Sequence, residues 1–339
     1  RALQFWKLYY HVDGFHLLGE GVPTEILMHD AILSNTRLMF HDFNADQIIK
    51  KKKSDNKCIA QYEPGFQQDM RRFLKSDEDM VGVAAYRFRR NPRDYAVINY
   101  MACQDGFTLN DMVTYNYRHN EANQENNQDS SSYNYSWNCG VEGPSRKLQV
   151  RQMRERQIRN AFLMMLLSQG VPLIYGGDEI GNSQNGNNNA YCQDNPTGWV
   201  NWKNEKSHRR QIEFLQQVIA FRKEHTVLSN PMPFQFSDYK SLGYPDLSYH
   251  GTSAWMLEPT PDHLCLGMLY CGAYAQNEKE PDVYVAYNFL AAATELALPK
   301  PRKGKEWVVC IDSGEEDAAF LDAPKPVSGG KIILRPQTI

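Results

Sequence analysis

The sequence has little excess charge and no long hydrophobic run, and each absence excludes a class of protein. Its 37 Lys and Arg residues nearly balance 40 Asp and Glu residues, which leaves a formal net charge of −3. No basic surface therefore attracts nucleic acid or anionic lipid. No apolar run approaches the ~20 residues that a membrane span needs. With 42% hydrophobic and 23% charged residues among 339, the composition is that of a globular protein.

Cysteine occurs without any of the spacings that indicate a metal site or a disulfide framework. The chain has seven cysteines, an odd number, and none of them forms a C-x-x-C pair. Zinc sites use closely spaced pairs, and disulfide-rich domains use even numbers. The pattern predicts no metal, no disulfide and free thiols in a reducing, cytoplasmic compartment. The cysteines are Cys58, Cys103, Cys139, Cys192, Cys265, Cys271 and Cys310.

A targeting segment is not recognisable in the first residues. The opening "RALQFWKLYYHVDGF" lacks the charged, apolar and small-residue regions of a signal peptide. It is more typical of the middle of a fold, so we expect a fragment of a longer chain. The missing signal therefore says little about the compartment.

Short apolar strands alternate with amphipathic helices over the first two-thirds of the chain. Such strands, separated by helices, are typical of a parallel sheet that is covered on both faces. From about Gly251 onward the pattern changes to short aromatic and β-branched runs between turns, which predicts an antiparallel sandwich. We expect one domain over 1–245 and a second over 246–339. Strands are predicted at 36–43, 95–106 and 171–179, and helices at 66–76, 148–170 and 209–225.

A long polar segment, residues 115–145, interrupts the first domain. It is rich in Asn, Gln and Ser, with five Tyr and Trp residues interleaved, too many for a solvated linker. Aromatic faces among amide groups suit a sugar ring, which has an apolar face and a rim of hydroxyls. The alternative, a surface loop with its own small core, stays open on composition alone.

Two stretches resemble a known family. "HNEANQENN…YNYSWNCGVEGPS" and "QGVPLIYGGDEIGNSQNGNNNAYCQDN" closely resemble the isoamylase-type and glycogen-debranching enzymes of the α-amylase superfamily, glycoside hydrolase family 13. The resemblance runs from about residue 5 to the end. It implies an α/β fold, a (β/α)8 barrel with its site at the carboxyl ends of the strands, followed by a C-terminal β-sandwich.

The resemblance assigns only strands four to eight of the barrel to this sequence. They are "HVDGFHL", "TRLMFHDF", the stretch around "CIAQY", "INYMACQD" and "VPLIYGGDE". Five strands cannot close an eight-stranded barrel. We therefore expect a partial barrel whose missing N-terminal half lies on the same or another chain. Without it, strand eight would be an unpaired apolar edge.

The family hydrolyses glycosidic bonds with a nucleophilic carboxylate and a carboxylic acid that lie ~5 Å apart, while a third carboxylate holds the sugar hydroxyls. In the family the nucleophile ends D-G-F-R-F-D on strand four. The same stretch here reads Asp13 to Leu18, so that the nucleophile position is Leu18 and the arginine position is His16. The acid position of strand five is His41. On strand seven the family's H-D reads Gln104-Asp105, which retains the third carboxylate.

Leucine has no lone pair for attack on a carbon, and loss of a nucleophile or general acid costs orders of magnitude in rate. We therefore expect an isoamylase-type homologue that recognises α-glucan and is catalytically impaired. One alternative is an active α-1,6 debranching hydrolase whose carboxylates have moved to Glu20 or Asp42. Another is a structural subunit that assembles with an active isoamylase. His41 as a displaced acid and Asp105 as a turn cap also stay open.

The resemblance also implies the substrate-binding residues and the partners. The partners are an α-glucan polysaccharide, the missing barrel half and an isoamylase-type subunit, with no cofactor, metal, nucleic acid or membrane. A plastid location applies if the chain comes from a plant. Asn187, Asn188 and Asn189 either bind sugar or satisfy loop backbone. The implied binding residues are Asp13, His16, Gln104, Asn123, Trp137, Asn189 and Tyr191.

Overall fold

Five parallel strands form the sheet of the first part of the chain. The computed structural model describes residues 1–41, 57–258, 260, 263–316 and 319–339. The five strands lie in the order of the sequence, and every neighbouring pair is parallel. The predicted parallel sheet is thus confirmed. The strands are β1 (Gly14–Leu17), β2 (Arg37–Phe40), β3 (Ile59–Tyr62), β4 (Ala96–Tyr100) and β5 (Val171–Leu173).

Helices lie in the connections from β1 to β2, from β3 to β4 and from β4 to β5, which lets these neighbouring strands run in the same direction. The three helices predicted from periodicity are present, with ends shifted by a few residues. The longest of the described helices, α6, is polar in its first half and buried from Asn160 to Leu166. The helices are α1 (Ala2–Tyr10), α2 (Thr24–Met28), α3 (Pro64–Leu74), α4 (Met80–Arg89), α5 (Leu109–Met112), α6 (Leu148–Leu166) and α7 (Arg209–Glu224).

The two outer strands of this sheet, β1 and β5, each pair with one described neighbour only. Apolar side chains are exposed at both edges: Leu18 is 54% exposed and Val171 is 47% exposed. Helix α1, which leads into β1, exposes four aromatic rings whose centroids lie 4.6–6.1 Å apart. Parallel sheets are normally buried on both faces, so these surfaces are unusual for a parallel sheet. The rings are Phe5, Trp6, Tyr9 and Tyr10.

The last ninety residues form antiparallel strands, as predicted, but in three small sheets. One sheet has the order β6-β7-β8, and two others pair β9 with β12 and β10 with β11. The first of these strands begins at Leu247, four residues before the predicted change at Gly251. The strands are β6 (Leu247–His250), β7 (Cys265–Tyr270), β8 (Val283–Asn288), β9 (Thr294–Ala297), β10 (Val308–Ile311), β11 (Phe320–Pro326) and β12 (Lys331–Leu334).

A shared core joins the antiparallel strands to the helices of the parallel sheet. The ring of Phe88 on α4 stacks on Tyr287 of β8 with centroids 4.7 Å apart, and Phe73 of α3 packs edge-on against Phe289. All four side chains are almost completely buried. Because such close packing is costly to disrupt, the two regions stabilise each other. In the described part of the chain, no helix is both long and apolar enough to cross a membrane.

A buried arginine holds the turn between α6 and β5. Arg222 on α7 donates to the carbonyl oxygens of Leu166, Ser168 (2.6 Å) and Gly170 (2.7 Å). These carbonyls follow the end of α6, where the helix leaves acceptors unpaired. At Gly170, with φ +84°, a Cβ atom would lie 2.8 Å from Val97 on β4, so only glycine fits. Arg222 and Gly170 together set the position at which β5 begins.

We predict that Arg222→Met lowers the free energy of unfolding by about 3 kcal/mol, because three buried carbonyls lose a charged donor. The matched control is Lys223→Met, since Lys223 is exposed on the same helix. Urea denaturation followed by circular dichroism measures both variants. Equal stability of the two variants would contradict the role assigned to Arg222.

Candidate functional site

The carboxyl ends of the parallel strands meet at one edge of the sheet, and the predicted catalytic positions lie there. Leu18 follows β1 and His41 follows β2. The His41 N–H donates to the Leu17 carbonyl at 3.0 Å, so the ends of these two strands are adjacent. Leu18 is exposed and His41 is half-buried. At this edge the chain presents an aliphatic side chain and an imidazole, at the two positions that the sequence resemblance aligns with a nucleophile and an acid.

Aromatic and imidazole rings from successive strands contact one another at the same edge. His16 of β1 stacks on Tyr62 of β3, with centroids 4.4 Å apart and planes 7° apart. His41 lies 5.4 Å from Tyr62 and 6.3 Å from His16. Tyr62 in turn lies 5.7 Å from Tyr100, the last residue of β4. We call His16, His41, Tyr62 and Tyr100 the ring cluster.

Burial lowers the pKa of His16, and the neighbouring His41 lowers it further. Burial also raises the pKa values of Tyr62 and Tyr100. At neutral pH the His16 imidazole and both phenols are therefore mainly uncharged. His16 thus supplies no permanent charge at the position that the sequence resemblance aligns with an arginine.

Asp105, which the sequence resemblance aligns with the family's third carboxylate, lies in a turn after β4 and is exposed together with Gln104. The backbone of this turn is held on both sides. The Cys103 thiol donates to the Asp105 carbonyl oxygen at 3.3 Å, and the Gly106 N–H donates to the Asn188 carbonyl at 3.0 Å. The second bond joins the loop after β4 to the loop after β5. Asp105 therefore projects from a constrained turn at the carboxyl end of the sheet.

Arg71, which sequence reasoning missed, fixes the segments around this turn. Its guanidinium, 3% exposed, donates to the carbonyl oxygens of Met101 (2.8 Å), Phe107 (3.0 Å) and Asn134 (3.0 Å). Burial lowers the pKa of Arg71 to about 10, so it remains protonated at neutral pH. Its neighbours on α3 are apolar and buried. An arginine on the apolar face of a predicted helix is the sequence signal that could have identified this role.

Asn123 and Asn189 belong to an amide network between the loops after β4 and β5. Asn123 donates to Asp129 (2.8 Å) and to the Asn189 carbonyl (3.0 Å), and accepts from Asn187 (2.8 Å). Asn189 donates to the same Asp129 oxygen at 2.8 Å. Asn188 donates to the Asn134 side chain at 2.8 Å. The amide groups of this network therefore hold the two loops together.

Trp137 and Tyr191 occupy different environments in these loops. The backbone N–H of Trp137 donates to the Met112 carbonyl at 3.0 Å, and the half-buried side chain packs against the core. Tyr191 is 70% exposed, and its hydroxyl donates to Glu125 at 3.0 Å. Of the two aromatic residues, Tyr191 presents its ring to solvent.

Other predicted positions are not brought to the same edge. Asp13 precedes β1 and lies at the amino end of that strand, opposite Leu18. Gly19, with φ +105°, ends the extended backbone before Glu20, so the two-residue period of a strand no longer places Glu20 on the face of Leu18. Asp42 lies outside the described residues. Within the described ranges, no group of three or more His, Cys, Asp or Glu side chains is placed to hold a metal ion.

Two buried carboxylates, of which sequence reasoning missed Asp111, stabilise the loops behind the turn. Asp178 accepts from the Leu109 N–H at 3.0 Å, and Asp111 accepts from the Gln184 N–H at 2.8 Å and from the Ser183 hydroxyl. Burial raises the pKa of Asp178 to about 7 and that of Asp111 to about 6. Both groups connect α5 to the loop after β5.

Comparison with known proteins identifies relatives of this chain. No protein-family model matches the chain. Isoamylase 1, chloroplastic, of Arabidopsis thaliana is 30% identical over 356 residues, which cover 93% of this chain and 44% of that protein. The glycogen debranching enzyme of Pectobacterium atrosepticum is 32% identical over 70% of this chain and 39% of its own length. The chain is a homologue of the isoamylase-type debranching enzymes of glycoside hydrolase family 13. It spans less than half the length of these relatives.

Solved structures show the same fold. The pullulanase of Bacillus acidopullulyticus matches 99% of this chain with a TM-score of 0.66 and 17% identity, and 38% of the pullulanase is covered. A type I pullulanase of Bacillus subtilis, solved with maltose, matches 98% of the chain with the same TM-score. This isoamylase homologue thus has the α/β fold of the matching parts of pullulanases, with a parallel sheet followed by antiparallel sheets.

We predict that the stability of the chain falls as pH rises from 5 to 7, because the unfolded carboxyl of Asp178 ionises near pH 4 whereas the buried one holds its proton up to about pH 7. Asp178→Asn keeps an acceptor for the Leu109 N–H and removes about 2 kcal/mol of this pH dependence. Urea denaturation at pH 5 and pH 7 measures how the free energy of unfolding depends on pH. The variant keeps part of this dependence, because Asp111 also has a raised pKa. An unchanged slope in Asp178→Asn would show that Asp178 does not carry a raised pKa.

Proposed function

We propose that this isoamylase homologue recognises α-glucan at the carboxyl end of its parallel sheet and is catalytically impaired. The observation that carries the proposal is the ring cluster beside Leu18, in the place of a nucleophile, an acid and an arginine. Leucine cannot form a glycosyl-enzyme bond. His16, with its lowered pKa, does not replace the positive charge of an arginine.

In this proposal, Asp105, Tyr191 and the loops that hold them recognise the glucan. Asp105 projects from a turn held by Arg71, and an exposed carboxylate accepts hydrogen bonds from sugar hydroxyls. Tyr191 offers an exposed aromatic face on the adjoining loop. The hydrogen bonds of the amide network hold both loops in place, which lowers the entropy that binding must overcome. The names of the relatives, isoamylase and glycogen debranching enzyme, support an α-glucan as the ligand.

The parallel sheet is, in this proposal, strands four to eight of a (β/α)8 barrel, and the antiparallel strands form its C-terminal β-sandwich. The unpaired edges of β1 and β5 and the exposed rings of α1 support this interpretation, because a closed barrel would cover them. The occupant of these edges is a half-barrel with three further strands, on the same or another chain.

Two other candidates differ from this proposal in measurable ways. An active hydrolase with migrated carboxylates requires Glu20 or Asp42 to act, and the turn at Gly19 disfavours Glu20. A structural subunit requires no glucan contact at all, and the exposed position of Asp105 and Tyr191 disfavours it.

We predict no release of reducing sugar from glycogen above the rate of a boiled sample. Leu18→Asp alone stays inactive because His41 has no carboxyl group with a suitable pKa. A triple variant with Leu18→Asp, His41→Glu and His16→Arg regains measurable turnover when the missing barrel half is supplied. Turnover by the unmodified chain that Glu20→Ala or Asp42→Ala abolishes would instead establish the active hydrolase.

We predict that glycogen cast into a native gel retards the unmodified chain, and that Asp105→Asn weakens this retardation at least fivefold, since an amide loses the charged acceptor. Asp322→Asn, an exposed carboxylate on β11, serves as the matched control and leaves the retardation unchanged. Absence of retardation in the unmodified chain would favour the structural subunit.

We predict that residues 1–339 associate with one another when expressed alone, because apolar surface is exposed on α1 and at the sheet edges. Phe5→Lys with Tyr9→Lys weakens the association at least tenfold, whereas Tyr239→Lys, an equally exposed tyrosine near the C-terminal sheets, does not. Sedimentation velocity over a range of concentrations measures it. A cooperatively folded monomer at all concentrations would contradict the half-barrel interpretation.

A further inference from the structure

A cavity of about 400 Å³ lies among the antiparallel strands, away from the ring cluster. Its walls come from α7, β8, β10 and β12, together with Trp307 and the C-terminal residues of the chain. The volume is within the range of sites that hold small organic ligands. The cavity is not part of the proposed glucan site, and it does not separate elements of the parallel sheet.

Most of the residues that line the cavity are apolar, and several of these are less buried than is usual for residues of a β-sheet core. Strand β10, with the sequence Val-Val-Cys-Ile, has no fully buried residue. Across the cavity Val283 and Val285 of β8 are buried. Close-packed interiors leave few voids larger than a water molecule. A gap of this size between two apolar strands is thus more typical of a ligand site than of a core.

The polar groups of the aromatic walls are already paired. The Tyr284 hydroxyl donates to the Ala297 carbonyl at 2.9 Å, and the Trp307 indole N–H donates to the Pro299 carbonyl at 2.8 Å. A sugar needs many hydrogen-bond partners, whereas the Tyr284 and Trp307 donors already bind backbone carbonyl oxygens. The cavity is therefore unsuited to the glucan that the proposed function requires.

The charges at the cavity compensate one another. Asp312 pairs with Arg335 at 2.7 Å, and Asp282 pairs with Arg302 at 2.9 Å. Lys305 and Glu306, adjacent in sequence and of opposite sign, also border it. Because no net charge remains, the cavity attracts neither anions nor cations strongly.

From this geometry we infer that the cavity between β8 and β10 binds one uncharged, largely apolar small molecule. Apolar surface on the ligand would cover the half-exposed faces of Phe221, Trp307 and Val309. Binding there stabilises the antiparallel region, since a ligand that binds only the folded state shifts unfolding by mass action. The inference does not depend on glucan recognition.

The test uses the uncharged fluorescent probe N-phenyl-1-naphthylamine with the full chain. We expect saturable binding that maltohexaose does not displace. Val309→Trp fills the cavity and weakens the binding at least tenfold. The matched control is Ala323→Trp on β11, because Ala323 is exposed and does not line the cavity, and here affinity stays within twofold. Equal affinity in the two variants, or no binding at all, would overturn the inference.

A second measurement locates the probe without any substitution. Cys310 lines the cavity and is half-buried, whereas Cys192 is exposed on the loop after β5. Saturating probe slows the methylthiolation of Cys310 at least fivefold and leaves that of Cys192 unchanged, as followed by peptide mass spectrometry. Equal rates at Cys310 with and without probe would place the probe elsewhere and overturn the inference.

Discussion

The guanidinium of Arg71 is the interaction on which the candidate site depends most directly. It is buried at the point where the segments before and after Asp105 approach the loop that contains Asn134. A buried cation is costly unless its donors are satisfied, and here backbone carbonyls of three segments satisfy them. One side chain from α3 thereby fixes the turn that carries the retained carboxylate. Without this donor the three carbonyls would be buried and unpaired, so the turn and the loop would have to rearrange together.

The network of amides extends this constraint from the loop after β4 to the loop after β5. Asp129 accepts from both Asn123 and Asn189, and side-chain hydrogen bonds lower its pKa. An ionised carboxylate in this position links both loops through charge-assisted bonds. The loops are thus organised by their own side chains and not by the residues at the strand ends. The hydrogen bonds that hold the loops are thus different from the contacts that join the strand ends.

The ring cluster joins the strand ends by contacts between aromatic and imidazole rings. Polar, charged groups at this edge would need solvent or one another to be stable, whereas His16 and Tyr62 stabilise each other by contact between their faces. Partial burial and the neighbouring His41 lower the pKa of His16, so this ring is mainly uncharged at neutral pH. In the cavity near the C-terminus, the hydrogen-bond donors of Tyr284 and Trp307 bind backbone carbonyls, and the charged side chains pair with one another.

The sequence alone determined the parallel order of the five strands, the antiparallel strands that follow and the positions of Leu18, His41 and Asp105 at strand ends, because hydrophobic periodicity and motif spacing are local properties. Strand boundaries were predicted only to within several residues, since hydrogen bonds to neighbours decide where a strand ends. Tertiary structure decided what each side chain contacts. It placed Asp13 at the opposite end of β1, directed the amides of Asn123 and Asn189 into the loop network and packed Trp137 against the core. It also stacked His16 on Tyr62 and buried Arg71, Asp111 and Asp178, because these contacts join residues far apart in the chain, and their energies depend on burial that no local pattern specifies.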